Sequence, residues 1–191
     1  MARRHGLVVR LTHWINALGT LALIVSGVAI LFAHPRLYWG ETGAVGGPSL
    51  IDLPMPFVFG HSGWGRYLHF LAAWICVAAG VLYVTVGAAT GHALLHTYTG
   101  LQRLTYLLVV FVLAPIVLLS GLAFSPMLAS VAPWLVSLFG GQQSARTIHF
   151  FAASAVVAFV LVHLVMVAAS GFIVHMRSMI VGDPGVSAEE S

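Results

Sequence analysis

Apolar residues run along this chain in four long blocks, at about residues 11–33, 67–89, 101–124 and 148–174, separated by stretches rich in polar residues, glycine and proline. Each block reaches the roughly 20 residues that a helix needs to cross a hydrocarbon core. No block alternates with period two, so the pattern predicts helices rather than a barrel. The expected architecture is an all-α membrane protein, a four-transmembrane-helix bundle over residues 1–182, with a small, acidic and flexible tail at 183–191. Pro115 should kink the third span, because it removes a backbone donor and clashes with the preceding turn. Residues 126–141 carry Met127, Leu128, Val131, Trp134, Leu135, Leu138 and Phe139, the pattern of one short helix lying in the interface plane. No internal repeat stands out.

The connections differ in character. Residues 34–65 form a long loop with Gly43, Gly46, Gly47, Pro48, Pro54 and Pro56 among Tyr38, Trp39, Phe57, Phe59 and Trp64. It reads equally well as a docking surface for a partner outside the membrane or as a lid whose aromatics sit at the interface. On the other side, residues 91–100 are short and polar, with His92, His96 and Tyr98. Small residues such as Gly19, Ser26, Gly27, Gly80, Gly87, Ser120, Gly121 and Ala152–Ser154 fit close helix packing as well as a flat ligand.

Composition strengthens the membrane reading. The 191 residues are 60% hydrophobic and only 7% charged, and the mean hydropathy of +0.99 lies far outside soluble domains. Every basic residue is arginine: Arg3, Arg4, Arg10, Arg103 and Arg177 fall on one side of a four-span arrangement, and Arg36, Arg66 and Arg146 on the other. The positive-inside rule therefore expects both termini in the cytoplasm. The first block is too long for a secretory signal and no small-residue cleavage site follows it, so it is expected to remain as a span. The single cysteine, Cys76, and the lack of Cys-x-x-Cys-His exclude disulfides, covalently attached haem, iron–sulfur clusters and cysteine zinc sites within the chain. The formal charge of +3 belongs to anchoring arginines, and no basic stripe with interleaved aromatics suggests a nucleic-acid partner.

Against that background, His13, His69, His149 and His163 lie in or at the mouths of spans that hold no carboxylate and no lysine. Ionisable groups at membrane depth are costly, so recurrent ones point to function. His149 and His163 are fourteen residues apart, about 3.9 helical turns and about 21 Å along one face. By depth, His69 can meet His149, and His13 can meet His163. Two opposed neutral imidazoles suit the axial positions of a b-type haem. Zinc, copper and di-iron centres need further ligands that the spans do not offer. Two haem b groups stacked across the bilayer are the expected cofactors. One histidine bonded between helices is an ordinary structural feature, but four at matched depths are not. His5, His34, His61, His92 and His96 fall in loops or tails, and His175, at the end of the fourth block, is the competitor to His163.

Arginine stands three residues before three of these histidines: Arg10, Arg66 and Arg146. That spacing shares a helix face, so the guanidinium could pair with a haem propionate, or it could snorkel as an interfacial anchor.

At these residues the chain resembles the four-helix dihaem cytochrome b subunits of membrane-bound nickel–iron hydrogenases, formate dehydrogenases and thiosulfate-reductase-like molybdoenzymes. The resemblance covers nearly all of residues 7–182. It rests on Arg-Leu-Thr-His-Trp-Ile-Asn (10–16) with Ser26-Gly27, Gly-Arg-Tyr-Leu-His-Phe (65–70), Leu-Gln-Arg-Leu-Thr-Tyr (101–106) with Ser120-Gly121, and Arg-Thr-Ile-His-Phe (146–150) with Val-His-Leu-Val (162–165). The Gln-Arg run, the Ser-Pro after the third span and the Gly-Gly before the fourth look most like the thiosulfate-reductase-like branch. The resemblance implies an electron-transfer subunit of the bacterial inner membrane, linking a periplasmic oxidoreductase, in that branch often a molybdopterin enzyme, to ubiquinone or menaquinone. It pairs the first and fourth helices at the inner haem and the second and fourth at the outer one. It also places a quinone pocket at Tyr98, Thr99, Gln102 and Arg103, although Asn often stands where this chain has Thr99. A second relative is the bacterial dihaem cytochrome b that oxidises superoxide and reduces ubiquinone without a partner. That group usually has lysines near the outer haem and a histidine in the third helix region, where this chain has Gln-Arg-Leu-Thr-Tyr. The chain could work alone or as a homodimer.

Overall fold

A computed structural model describes residues 6–41, 47–54, 63–89, 104–105 and 107–182. Helices α1 (Leu7–Ala33), α2 (Gly63–Ala89) and α6 (Gln142–Ala169) are each long and apolar enough to cross a membrane. Among the described residues this membrane protein is all-helical apart from a two-residue antiparallel pairing of β1 (Arg36–Leu37) with β2 (Ile51–Asp52). Between α2 and α6 lie a π-helical turn (Val109–Leu113), α3 (Ala114–Phe124), and two short helices, α4 (Pro126–Val131) and α5 (Pro133–Leu138). The last element is α7 (Phe172–Ile180).

The helices pack through their smallest residues. On α1 the buried positions are Thr12, Gly19 and Ser26, and on α2 they are Gly65, Ala72 and Ala79. Both series repeat every seven residues, which keeps two narrow stripes in register along a helix pair. Large side chains such as Leu18, Leu21, Leu71 and Val165 point outward, as lipid solvent allows and water would not. The hydroxyls in the stripe bond back to their own helix: Thr12 Oγ1 donates to the Val8 carbonyl at 2.7 Å, and Ser26 Oγ to that of Ala22 at 2.6 Å. A Cβ on Gly19 would collide with Cys76 Sγ. Gly19→Ala should therefore lower the melting midpoint in detergent by the equivalent of about 1–3 kcal/mol, and Cys76→Ala should restore most of it. Additive losses in the double variant would refute this contact.

Among the described residues, helix contacts concentrate in two pairs, α1 with α2 and α3 with α6. Near Pro115 the structure has a π-turn rather than a simple bend: the Ala114 amide reaches back five residues to the Val109 carbonyl. Widening the turn accommodates a ring that an α-helical ladder would reject. Residues 126–138 likewise form two helices, not one, because Pro133 starts a new one after Ala132. Leu135 turns inward onto Ala123 and Ala145, with Leu122, Ala132 and Phe139 around them.

The fourth helix differs from the expected 148–174. It starts earlier, at Gln142, and ends at Ala169, where Ser170 and Gly171 (φ 107°) break it. α7 then returns to the start of α1: the indole of Trp14 donates to the Met179 carbonyl at 3.1 Å and Arg10 to that of Ile180 at 3.0 Å. These contacts use carbonyls that the end of a helix leaves unpaired.

The opposite end is tied differently. α6 has no side-chain N-cap, and its first amides are satisfied by the Gly40 carbonyl, which accepts from Gln143 at 3.0 Å and from Ser144 at 3.3 Å. Ser144 Oγ accepts from the Gly40 amide at 2.8 Å, and Thr147 Oγ1 donates to the Tyr38 carbonyl at 2.7 Å. This network fixes the rotation of α6, and with it the direction of His149. The Arg36–Asp52 ion pair alongside is well exposed on both sides and contributes little.

Candidate functional site

Four of the ten histidines come together in two pairs. His69, on the second turn of α2, faces His149 on α6 with ring centroids 6.1 Å apart and planes at 66°. His13 on α1 faces His163 on α6 at 6.4 Å and 61°. Each pair joins one helix pair to the other, in the space where the helices themselves touch least. A metal taking one nitrogen from each of two opposed rings, at about 2 Å, would hold ring centres roughly 6 Å apart.

The second nitrogen of each loop-end ring is already engaged. His149 Nδ1 lies 2.9 Å from the Val117 carbonyl and 3.2 Å from Ser120 Oγ. A carbonyl only accepts, so Nδ1 carries the proton and Nε2 keeps its lone pair. His69 Nδ1 lies 3.0 Å from Ser26 Oγ. Such outer partners are how a ligating imidazole is held in one tautomer and one orientation. Glycines give the rings room: a Cβ at Gly121 would stand 3.1 Å from His149 Cε1, and one at Gly27 3.6 Å from His69 Cε1. At the other end His163 stacks on Phe159 at 6.0 Å, and His13 meets Trp14 edge-on at 5.6 Å.

Among the described residues, no group of three or more His, Cys, Asp or Glu converges on a metal-sized space. Opposed pairs of imidazoles suit a metal whose remaining ligands come from a macrocycle. Haem fits the donor set.

The three arginines part ways. Arg10 gives one guanidinium nitrogen to Ile180, while its Nε is buried with no hydrogen-bond partner among the described residues. That orphan donor is suited to a carboxylate. Arg146 bonds the His34 carbonyl and lies 6.0 Å from the centre of the Phe124 ring, so part of its donor set serves the loop-end network. Arg66 is exposed on the first turn of α2. His175 sits on α7, bonded through Nε2 to Ser170 Oγ at 3.1 Å, and is separated from the His163 helix by the Gly171 break. His34 lies at the C-terminal end of α1. Tyr98, Thr99, Gln102 and Arg103, with His5, His61, His92 and His96, lie outside the described residues.

Sequence reasoning found the rings but not what orients them. Ser26, Ser120, Thr147 and the Gly40 carbonyl supply that orientation, and the repeated Ser-Gly dipeptide one helix away from each of His69 and His149 is the signal the sequence carries for the two serines.

An apolar helical bundle with opposed imidazoles between its helices is the arrangement of a membrane cytochrome b, an electron carrier. The chain belongs to the prokaryotic cytochrome b561 family, whose model matches residues 4–182. It is also 31% identical, over 84% of its length and 87% of the relative's, to a protein of Azospira oryzae that carries the name of a protein-methionine-sulfoxide reductase subunit, YedZ1. No solved structure matches it. Membership in the family makes this a haem b-binding, electron-transferring membrane protein.

Proposed function

We propose that the chain spans the bacterial inner membrane four times, with both termini in the cytoplasm, and passes electrons between the quinone pool and a periplasmic oxidoreductase. The observation that carries this reading is the presence of two opposed imidazole pairs at two levels of one bundle, both served by α6. His13 and His163 hold the inner haem b, and His69 and His149 the outer one. Bound there, the two haems supply one-electron redox chemistry at two depths. Arg10, Arg66 and Arg146 are placed by their spacing to receive propionates, with the unpaired Nε of Arg10 the strongest support. Resemblance assigns quinone to Tyr98, Thr99, Gln102 and Arg103, and the partner to the molybdoenzymes. The naming of the Azospira relative as a reductase subunit favours outward delivery, from quinol to a reductase.

Protein reconstituted in nanodiscs tests this. A reduced ubiquinone or menaquinone analogue should develop the ferrous haem spectrum within seconds, and Arg103→Ala should slow it about tenfold or more while the haem content holds. Superoxide alone should not match the quinol rate. Failure of both quinols, or rapid reduction by superoxide with no partner present, would overturn the proposal.

A further inference from the structure

The two helix pairs carry the same device. Leu23-x-x-Ser26-Gly27 on α1 and Val117-x-x-Ser120-Gly121 on α3 each face a histidine on the partner helix of their own pair. In both, the serine hydroxyl lies beside its own helix carbonyl four residues back, Ser26 at 2.6 Å from Ala22 and Ser120 at 2.5 Å from Ile116. A hydroxyl has one proton, and a carbonyl can only accept it. With that proton committed, the serine oxygen can only accept from the ring, so each histidine presents Nδ1–H to its serine hydroxyl, and His149 presents it also to the Val117 carbonyl three residues before Ser120. The glycine that follows lets the ring edge approach the backbone closely. Both serines are fully buried, so no water competes for these bonds.

We infer that Ser26 and Ser120 are matched positioning residues that hold His69 and His149 in the Nε2-ligating tautomer and lower the potential of the haem between them. The inference rests on the reading of this pair as axial ligands. A hydrogen bond accepted from Nδ1–H raises the basicity of the imidazole and favours the ferric state. Because one device acts from each side, removing either serine should act on the same haem, and removing both should act about additively.

The test is a spectroscopic redox titration of the purified holoprotein. Ser26→Ala and Ser120→Ala should each raise the midpoint of one haem component, and the same one, by about 30 mV, a roughly threefold change in its oxidised-to-reduced ratio at 59 mV per tenfold. The other component should stay in place. Ser→Thr at either position, which keeps the hydroxyl, should stay near wild type. Loss of that component in the alanine variant alone, with the threonine variant intact, would support the same role through orientation. Unmoved midpoints, equal shifts of both components, or threonine variants that behave like alanine would overturn it. His69→Ala separates the two readings: if it leaves both haems bound, the ligand assignment itself fails, whereas loss of one haem in that variant with silent serine variants defeats only the role of the serines.

Discussion

Haem b in purified protein is expected to fall from about two per chain to about one in His149→Ala, with one spectral component lost and the other unchanged. The reason lies in how much of the loop-end site converges on this ring. His149 faces His69 across 6.1 Å, its Nδ1 is held by Val117 and Ser120, and Gly121 packs against its edge. On the proposed ligation, alanine would leave His69 without its facing imidazole and open a cavity in that ring's place. Nothing covalent holds a haem here, since the chain has no Cys-x-x-Cys-His. Among the described residues the two helix pairs share few direct helix–helix contacts, so loss of the bridge should lower the melting midpoint, because a ligand stabilises only the folded state that binds it. His163→Ala should remove the other component. His175 cannot stand in for it from the far side of the Gly171 break while bonded to Ser170. Added imidazole should restore part of the lost spectrum in His149→Ala by filling the cavity with the missing ligand. Retention of two haems in either variant, or loss of both in each, would show that the rings do not ligate in these pairs.

How far the sequence could be read depends on what kind of signal each part leaves. Long apolar blocks are forced by the thickness of the bilayer, and α1, α2 and α6 emerge nearly as the pattern predicts. The histidine pairing was legible for a related reason: polar residues are rare at that depth, so their spacing carries information. The end of the fourth helix was not. Residues 148–174 are apolar throughout, and hydropathy does not register the positive-φ glycine that breaks the helix at 171. Residues 126–141 read as one helix because the apolar spacing continues across the join. Pro133 was the available cue, since proline sits comfortably in a first turn and poorly beyond it. The second partners of the rings are backbone carbonyls and serines, residues that any helix contains. The repeated Ser-Gly dipeptide marks two of the serines, and their three-dimensional approach to His69 and His149 separates them from serines that only bond back to their own helix.

Gly141→Ala is expected to be the most damaging single-methyl addition in the described part of the chain. Gly141 precedes α6 with φ 113° and ψ 165°, a region that side chains all but exclude. A Cβ there would also meet backbone, at 2.5 Å from Gly40 C, 2.6 Å from Gly40 O and 2.7 Å from Glu41 N. Rotamer changes cannot relieve a clash with main chain, so residues 40–41 must move away from α6. The Gly40 carbonyl would then leave the Gln143 and Ser144 amides, and Thr147 would lose Tyr38. Those bonds set the rotation of α6 within the two turns before His149, so the damage should spread to the facing pair. The strain alone is worth roughly 1–3 kcal/mol, and the lost helix-end hydrogen bonds add about 1 kcal/mol each. The neighbouring Gly140 is the control. Its φ of 74° is strained for alanine, but its added Cβ meets only Ser144 Oγ, at 3.8 Å. Gly140→Ala should therefore lower the melting midpoint slightly and keep both haem components. Gly141→Ala should lower it by several times as much and weaken the component that depends on His149. Equal effects in the two variants would mean that the packing of residues 40–41 against α6 does not position that histidine.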